Sequence, residues 1–201
     1  MGARNHHLIV NYLDQLEGSI IEIGGGRCEG STDFFAGLIS VRNDLKFHSI
    51  DFDPEAHKVI GKYAIKLSNM QAHQMLGEDC LENVLIPSGE KVCWAYLDNF
   101  DWIYYEKGDI PSWIQSQILH YSKFNLEMNN KNSQAAHLLQ TQLITKIAAP
   151  KCVIHFDDTR KESGSETEYF GKGGTAVPWL LEQGWKIVYS GNSDVACGNF
   201  L

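Results

Sequence analysis

Residues 19–54 decide the fold. They open with SIIEIGGGRCEGST at positions 19–32 and end with FHSIDFDP at positions 47–54. An apolar strand therefore runs into a glycine-rich turn, and a second apolar strand ends in an acid. Gly24, Gly26 and Gly30 allow the backbone to turn sharply and to approach a ligand closely. An acid at the distance of Asp51 is suited to bind ribose hydroxyls, so the stretch predicts a nucleoside site in a parallel α/β sheet.

The spacing of the glycines bears on the class of ligand. It is G-x-G-x-x-x-G, and not the G-x-G-x-x-G that places a helix N-terminus on a pyrophosphate. Glu22 lies two positions before Gly24, where a carboxylate would repel a pyrophosphate and attract a cationic ligand. The alternative for these glycines is an ordinary tight turn between a strand and a helix.

Length and composition predict one globular domain over residues 1–201. Apolar residues make up 43% of the chain and charged residues 21%, which is typical of a globule with a buried core. The net charge is −8 and no block of lysine or arginine occurs, so we expect no nucleic-acid partner. A small-molecule acceptor is the expected partner, and the sequence does not predict an oligomeric state.

The cysteines and the N-terminus bear on localisation. The five cysteines are scattered without a C-x-x-C pair, which favours buried thiols in a reducing compartment. No apolar run is long enough for a signal peptide or a membrane span. We therefore expect a cytoplasmic protein with no membrane partner.

Short apolar runs alternate with helical segments along the chain, which is the pattern of a mostly parallel sheet. The predicted strands cover residues 19–23, 46–50, 71–75, 92–97, 152–156, 186–189 and 195–200. The predicted helices cover residues 5–16, 31–40, 54–68, 80–85, 110–124, 133–148 and 176–183. In such a sheet the ligand lies outside the carboxyl ends of the strands, and here those positions are rich in acids.

The motifs resemble those of the class I S-adenosylmethionine (SAM) methyltransferases. The acid-x-G-x-G form at 22–26 is similar to their motif I, and the ending GGTAVPWLLEQGWKIV at 173–188 is similar to their last helix and the strand after it. The resemblance implies a Rossmann-like α/β sheet of seven mostly parallel strands, with an antiparallel C-terminal strand and helices on both faces. It also implies that SAM is the cofactor.

The same resemblance assigns cofactor-binding residues. Asp51 matches the acid that holds the ribose hydroxyls, and Asp79 matches the acid near the adenine amino group, with Glu78 as the alternative. The full expected set is Glu22, Gly24, Gly25, Gly26, Gly30, Asp51, Phe52, Glu78 and Asp79.

Two further segments, LDNFD at 97–101 and IHFDDT at 154–159, resemble the metal-dependent O-methyltransferases of the macrocin and catechol types. The resemblance implies that Asp98, Asp157 and Asp158 bind a divalent cation, and carboxylate oxygens suit magnesium. A metal-bound hydroxyl loses its proton more easily, so methylation of an oxygen is expected, with Asp98 or His155 as the proton acceptor. The structural alternative is that Asp157 and Asp158 cap the next segment or bind loop amides.

A group of aromatic residues and a glycine-rich segment around Lys172 are two further candidates for a binding site. Phe100, Trp102 and Tyr104 follow a predicted strand and are candidates for an acceptor pocket, although core packing is the default for aromatic residues. The GKGG segment around Lys172 lacks the serine or threonine of a phosphate-binding loop, and we reject that interpretation.

The sequence leaves three alternatives to a small-molecule methyltransferase. A nicotinamide-dependent Rossmann oxidoreductase is disfavoured by Glu22 and the glycine spacing, and a nucleic-acid or protein methyltransferase by the acidic charge and the lack of an NPPY-like tetrapeptide. A non-catalytic SAM-binding protein is the third. It would be favoured if the three aspartates were dispensable.

Overall fold

The computed structural model describes residues 5–26, 30–104, 110–162, 164–165 and 168–200. Seven strands form one sheet in the order β3-β2-β1-β4-β5-β9-β8. Their bounds are β1 Ser19–Ile23, β2 Lys46–Asp51, β3 Met70–Gln74, β4 Val92–Leu97, β5 Ala148–Asp157, β8 Lys186–Ser190 and β9 Asp194–Gly198. The pairs among β1 to β5 are parallel, and β9 is antiparallel to both β5 and β8. The predicted α/β fold with an antiparallel C-terminal strand is confirmed.

Helices connect the parallel strands. A 3₁₀ helix covers Asn5–Gln15, and the α-helices are α1 Ser31–Val41, α2 Pro54–Ala64, α3 Gly77–Cys80, α4 Ile86–Ser88, α5 Ser112–Ser122, α6 Asn130–Ile147 and α7 Ala176–Glu182. A π-helical turn, Leu81–Leu85, joins α3 to α4. Asp53 caps α2 by accepting a hydrogen bond from the Glu55 amide, and Pro54 begins the helix. Within the described residues no helix is long and apolar enough to cross a membrane.

The core lies on both faces of the sheet because successive side chains of each strand point to opposite sides. Ile21, Ile23 and Leu97 pack on one face, where α6 and α7 contribute Ile144 and Leu180. On the other face, the aromatic strand residues Phe47, Trp94 and Tyr96 pack with Phe35 of α1 and with the 3₁₀ helix and α2. All five residues of β1 are buried, as expected of a central strand.

A two-stranded antiparallel sheet, β6 Thr159–Lys161 and β7 Tyr169–Gly171, follows β5 and was not predicted. Strands of three residues are too short to show a periodic pattern in the sequence. The pair has a consequence for function, because it ends beside Lys172 and returns the chain to the carboxyl end of β5.

Candidate functional site

A cavity of about 360 Å³ opens at the carboxyl ends of β1, β2, β4 and β5. The order β2-β1-β4 places it where the chain reverses its direction of winding, which is where open α/β sheets bind ligands. Its walls are formed by Ile23, Gly24, Gly25, Gly26, Ser31, Ile50, Asp51, Phe52, Met75, Leu76, Gly77, Asp98, Asn99, Asp101, Trp102, Tyr104, Trp113, Tyr121, Asp157, Asp158 and Ser193.

The glycine turn and Asp51 form one wall of the cavity. Gly26 lies so close to Asp51 that a Cβ atom at Gly26 would be 2.5 Å from the carboxylate Oδ2. The other oxygen of Asp51 accepts a hydrogen bond from the Asp53 amide at 2.8 Å, which fixes the carboxylate at the end of β2. Burial raises the pKa of Asp51 to about 6. The Gly26 amide also donates to this carboxylate, and the carboxylate can accept further hydrogen bonds from a ligand with two adjacent hydroxyls.

Glu22 lies behind this wall and does not line the cavity. Its side chain is fully buried, and Oε2 accepts hydrogen bonds from the hydroxyls of Thr32 and Ser49 at 2.7 Å each. Burial raises its pKa, against the effect of these hydroxyls. In this arrangement Glu22 ties α1 and β2 to the turn. The sequence assigns Glu22 to the cofactor site, and the structure places it outside the residues that line the cavity.

The far end of the cavity is apolar. Phe52, Met75, Leu76 and Gly77 line it, and a planar base would fit between such side chains. Glu78 and Asp79 do not line the cavity: Glu78 accepts a hydrogen bond from Gln140 at 2.9 Å, and Asp79 is exposed. Gly30 does not line it either. It precedes α1 with φ of 110°, while the next residue, Ser31, does face the cavity.

The three predicted metal ligands meet at the opposite end. Asp98, Asp157 and Asp158 each offer an oxygen within 4.8 Å of the others. Neighbouring residues of a regular strand point to opposite faces, but Asp158 has left the strand with φ of 46°, so both aspartates face the cavity. Burial, followed by the charge of Asp98, raises the pKa of Asp157 far above its usual range.

Lys172 lies within this cluster, a position that the sequence did not predict. Its side chain is only 1% exposed, and its ammonium nitrogen is 2.6 Å from Asp98 Oδ1 and 3.2 Å from Asp158 Oδ2. Burial alone would lower its pKa, but these carboxylates outweigh burial and hold the pKa well above the usual value. The signal in the sequence was a lysine flanked by glycines after a pair of aspartates.

A divalent cation does not fit these residues as they stand. One oxygen of Asp98 and one of Asp158 already contact the Lys172 ammonium. The ion would therefore share its ligands with a positive charge that the protein buries in the same place. We derive no chemical step through a metal.

His155 does not reach the cavity. It is fully buried in β5, and its Nε2 lies 2.8 Å from Asp194 Oδ2. Its ring packs edge-on against Tyr96 with centroids 5.2 Å apart. The role as proton acceptor that the sequence suggested for His155 has no support in this geometry, because no atom of the residue lines the cavity.

Aromatic side chains line one part of the cavity. They are Trp102, Tyr104, Trp113 and Tyr121, whereas Phe100 packs against Tyr121 without lining the cavity. The Tyr104 hydroxyl donates a hydrogen bond to Asp158 Oδ1 at 2.9 Å. The segment that carries Trp102 and Tyr104 is held by Asn130 at the start of α6. Its side-chain amide donates to the carbonyl of Ile103 and accepts from the amide of Ile103, both at 2.8 Å.

No protein-family model and no curated protein matches the chain. Solved structures do. The apo form of the TDP-rhamnose 3′-O-methyltransferase CalS11 of calicheamicin biosynthesis is 10% identical with a TM-score of 0.56, covering 96% of this chain and 76% of that one. A proposed class I SAM-dependent methyltransferase from Listeria monocytogenes is 12% identical with a TM-score of 0.54, covering 96% and 57%.

A proposed rRNA methylase from Clostridium thermocellum is 8% identical with a TM-score of 0.52, covering 97% of this chain and 94% of that one. At such identities the likeness concerns the fold and not the substrate. The chain has the Rossmann-like fold of class I methyltransferases.

Proposed function

We propose that the protein is a SAM-dependent methyltransferase that methylates an oxygen of a small molecule. The observation that carries this proposal is that one cavity joins two different groups of residues. The glycine turn and Asp51 lie at one end, and a cluster of carboxylates lies at the other. The first part suits a nucleoside and the second suits the removal of a proton from an acceptor. The fold is compatible with both.

The residues of this cavity fit SAM. Asp51 would accept hydrogen bonds from the ribose hydroxyls. Glycine at position 26 keeps the turn close to Asp51 without obstructing its carboxylate, because a Cβ there would lie 2.5 Å from Oδ2. Phe52, Met75 and Leu76 would enclose the adenine ring. When bound, SAM supplies an electrophilic methyl group on a sulfonium.

The other residues would hold the acceptor. Trp102, Trp113 and Tyr121 offer a flat apolar surface for a ring, and Asp98 and Asp158 offer oxygens to its hydroxyl. Methyl transfer is an in-line displacement, so most of the rate gain would come from holding the two partners aligned. Asp98 is the proposed acceptor of the hydroxyl proton, because it lines the cavity and His155 does not.

Two rival functions can be separated from this proposal, the first by ligand binding and the second by charge. A nicotinamide-dependent oxidoreductase would be stabilised by NADH and not by SAM, and a thermal-shift comparison of the two ligands distinguishes them. A nucleic-acid methyltransferase would need a basic surface, which a net charge of −8 does not favour.

The proposal predicts that Asp51→Ala weakens SAM binding. The substitution removes a charged acceptor for two hydroxyls, which is expected to cost on the order of 1.5–3 kcal/mol, or about 10–150-fold in affinity. Isothermal titration calorimetry measures this directly. Asp53→Asn is the matched control: it changes the same segment outside the cavity, and asparagine can still cap α2. Equal SAM affinities in wild type and Asp51→Ala, with both folded by circular dichroism, would remove Asp51 from the site.

A further inference from the structure

One buried cation, directly behind the cavity-lining Asp98 and Asp158, is not used by the steps above. Lys172 follows β7, and its side chain extends to Asp98 and Asp158 with only 1% of its surface exposed. Its amide donates a hydrogen bond to the carbonyl of Asp158 at 3.2 Å, so backbone and side chain both attach to the end of β5. Lysine is almost never buried this deeply without a partner, because an unpaired ammonium is costly to remove from water.

We propose that the Lys172 ammonium takes the place of a divalent cation in this site. It holds Asp98 and Asp158 at the wall of the cavity, and it keeps divalent ions from binding there. The role of Lys172 in orienting these carboxylates toward an acceptor rests on the methyl transfer proposed above, whereas the exclusion of divalent ions does not.

The charges around the ammonium support this assignment. Asp98, Asp157 and Asp158 surround it, and Asp101 also acts on it. His137 of α6 is fully buried nearby; burial, followed by the charge of Lys172, lowers its pKa to about 4, so it adds no positive charge at neutral pH. Among these groups Lys172 is the one cation. Three carboxyls without it would repel one another, and that repulsion is what a bound metal ion relieves in other acidic sites.

The backbone around Lys172 fixes the ammonium in place. Gly171 has φ of 102°, and a Cβ there would overlap the carbonyl oxygen of Asp158 at 1.8 Å, so only glycine allows this close approach. The amide of Gly173 donates to Thr159 Oγ1 at 2.8 Å. Glycines on both sides of Lys172 thus bring the chain against the end of β5, which explains the GKG pattern without a phosphate ligand.

The test is a titration of Mn²⁺ and Mg²⁺ against wild type and Lys172→Ala, measured by calorimetry and by thermal shift in buffer treated to remove metals. We expect no saturable binding to wild type at ion concentrations up to about 10 mM. Lys172→Ala frees the carboxylates and leaves space, so it should bind Mn²⁺ at least tenfold more tightly than wild type. At saturation its melting temperature should rise by about 5 °C.

Matched controls separate this site from general ion binding. Lys151→Ala removes an exposed lysine that contacts Gln15, and it should gain no affinity for Mn²⁺. Lys172→Ala combined with Asp98→Asn lacks one ionic ligand and should lose most of the gain. A purely structural role for Lys172 would lower stability but would not create binding of a divalent ion.

Several results would overturn the assignment. Saturable Mg²⁺ or Mn²⁺ binding to wild type below about 1 mM that Asp158→Asn abolishes would show that the ion and the lysine coexist. Equal ion affinities in wild type and Lys172→Ala would show that the lysine does not exclude ions. If Lys172→Ala is unfolded at 25 °C, recovery of its circular dichroism with Mn²⁺ supports the assignment and failure to recover contradicts it. SAM titrations of the same wild-type protein test the methyltransferase proposal separately.

Discussion

Replacing Gly24 with alanine is expected to lower the free energy of unfolding by about 3–5 kcal/mol and the melting temperature by about 10 °C. Gly24 has φ of 97°, which a residue with a side chain rarely adopts. An added Cβ would also lie 2.5 Å from the amide nitrogen of Asn99 and 2.6 Å from the carbonyl carbon of Asp98. These are backbone atoms at the end of β4, which cannot turn aside as a flexible side chain could.

Gly37→Ala is the matched control for this prediction. Gly37 lies in α1, and a Cβ there would meet nothing within 4 Å. Alanine is the better helix former, so Gly37→Ala should raise stability by about 0.5–1 kcal/mol. Urea denaturation of the three proteins measures both effects. A Gly24→Ala protein as stable as wild type would mean that the turn relaxes, and that the glycine is not required for the close approach of β1 and β4.

The seven-stranded sheet could be predicted from the sequence because its strands carry a strong local pattern. β4 is a continuous apolar run and β1 carries three isoleucines in five residues, which is typical of central parallel strands. The end of β2 at Asp51 and the turn at Gly24 were also predictable. The positive φ at Gly24 is a local property that requires glycine, and an acid at the end of the second strand belongs to the same sequence motif.

The contacts of individual side chains were less predictable. Glu22 is adjacent in sequence to the glycine turn, yet it faces Thr32 and Ser49 on the other side of the strand. His155 and Asp157 share a strand face, but only Asp157 is at the strand end where the cavity begins. A pattern shows which face a residue occupies. It does not show how far along the strand the cavity extends.

Lys172 was missed for a different reason. Its partners Asp98 and Asp158 are 74 and 14 positions away, and its side chain meets them only after β6 and β7 have folded back. A hairpin whose strands are three residues long leaves no periodic signal in the sequence. The expectation of a metal rested in part on three converging carboxylates, whose mutual repulsion a cation relieves. The positive charge that we propose for this role, the Lys172 ammonium, lies within the chain.

Asp157→Asn is expected to stabilise the protein at neutral pH, and the gain should grow as the pH rises. Burial and the charge of Asp98 raise the pKa of Asp157 in the folded state far above the value of 3.8 in the unfolded chain. The folded state therefore binds this proton more tightly, and it loses stability as the pH rises above 3.8 until the folded pKa is reached. Asparagine has the shape of the neutral acid and cannot ionise, so it removes this loss.

The size of the effect follows from the shift. Each pKa unit between the folded and unfolded states corresponds to about 1.4 kcal/mol, so a strongly raised pKa should separate the melting temperatures by several degrees in a chain of this length. Melting curves of wild type and Asp157→Asn from pH 4 to pH 9 should therefore coincide near pH 4 and separate above it.

Asp44→Asn is the control. The Asp44 carboxylate is exposed beside Arg42, which lowers its pKa to about 2, so this substitution should instead be neutral or mildly destabilising. A divalent ion bound by these aspartates predicts the opposite order, since Asp157→Asn would lose an ionic ligand and would melt below wild type when the ion is present.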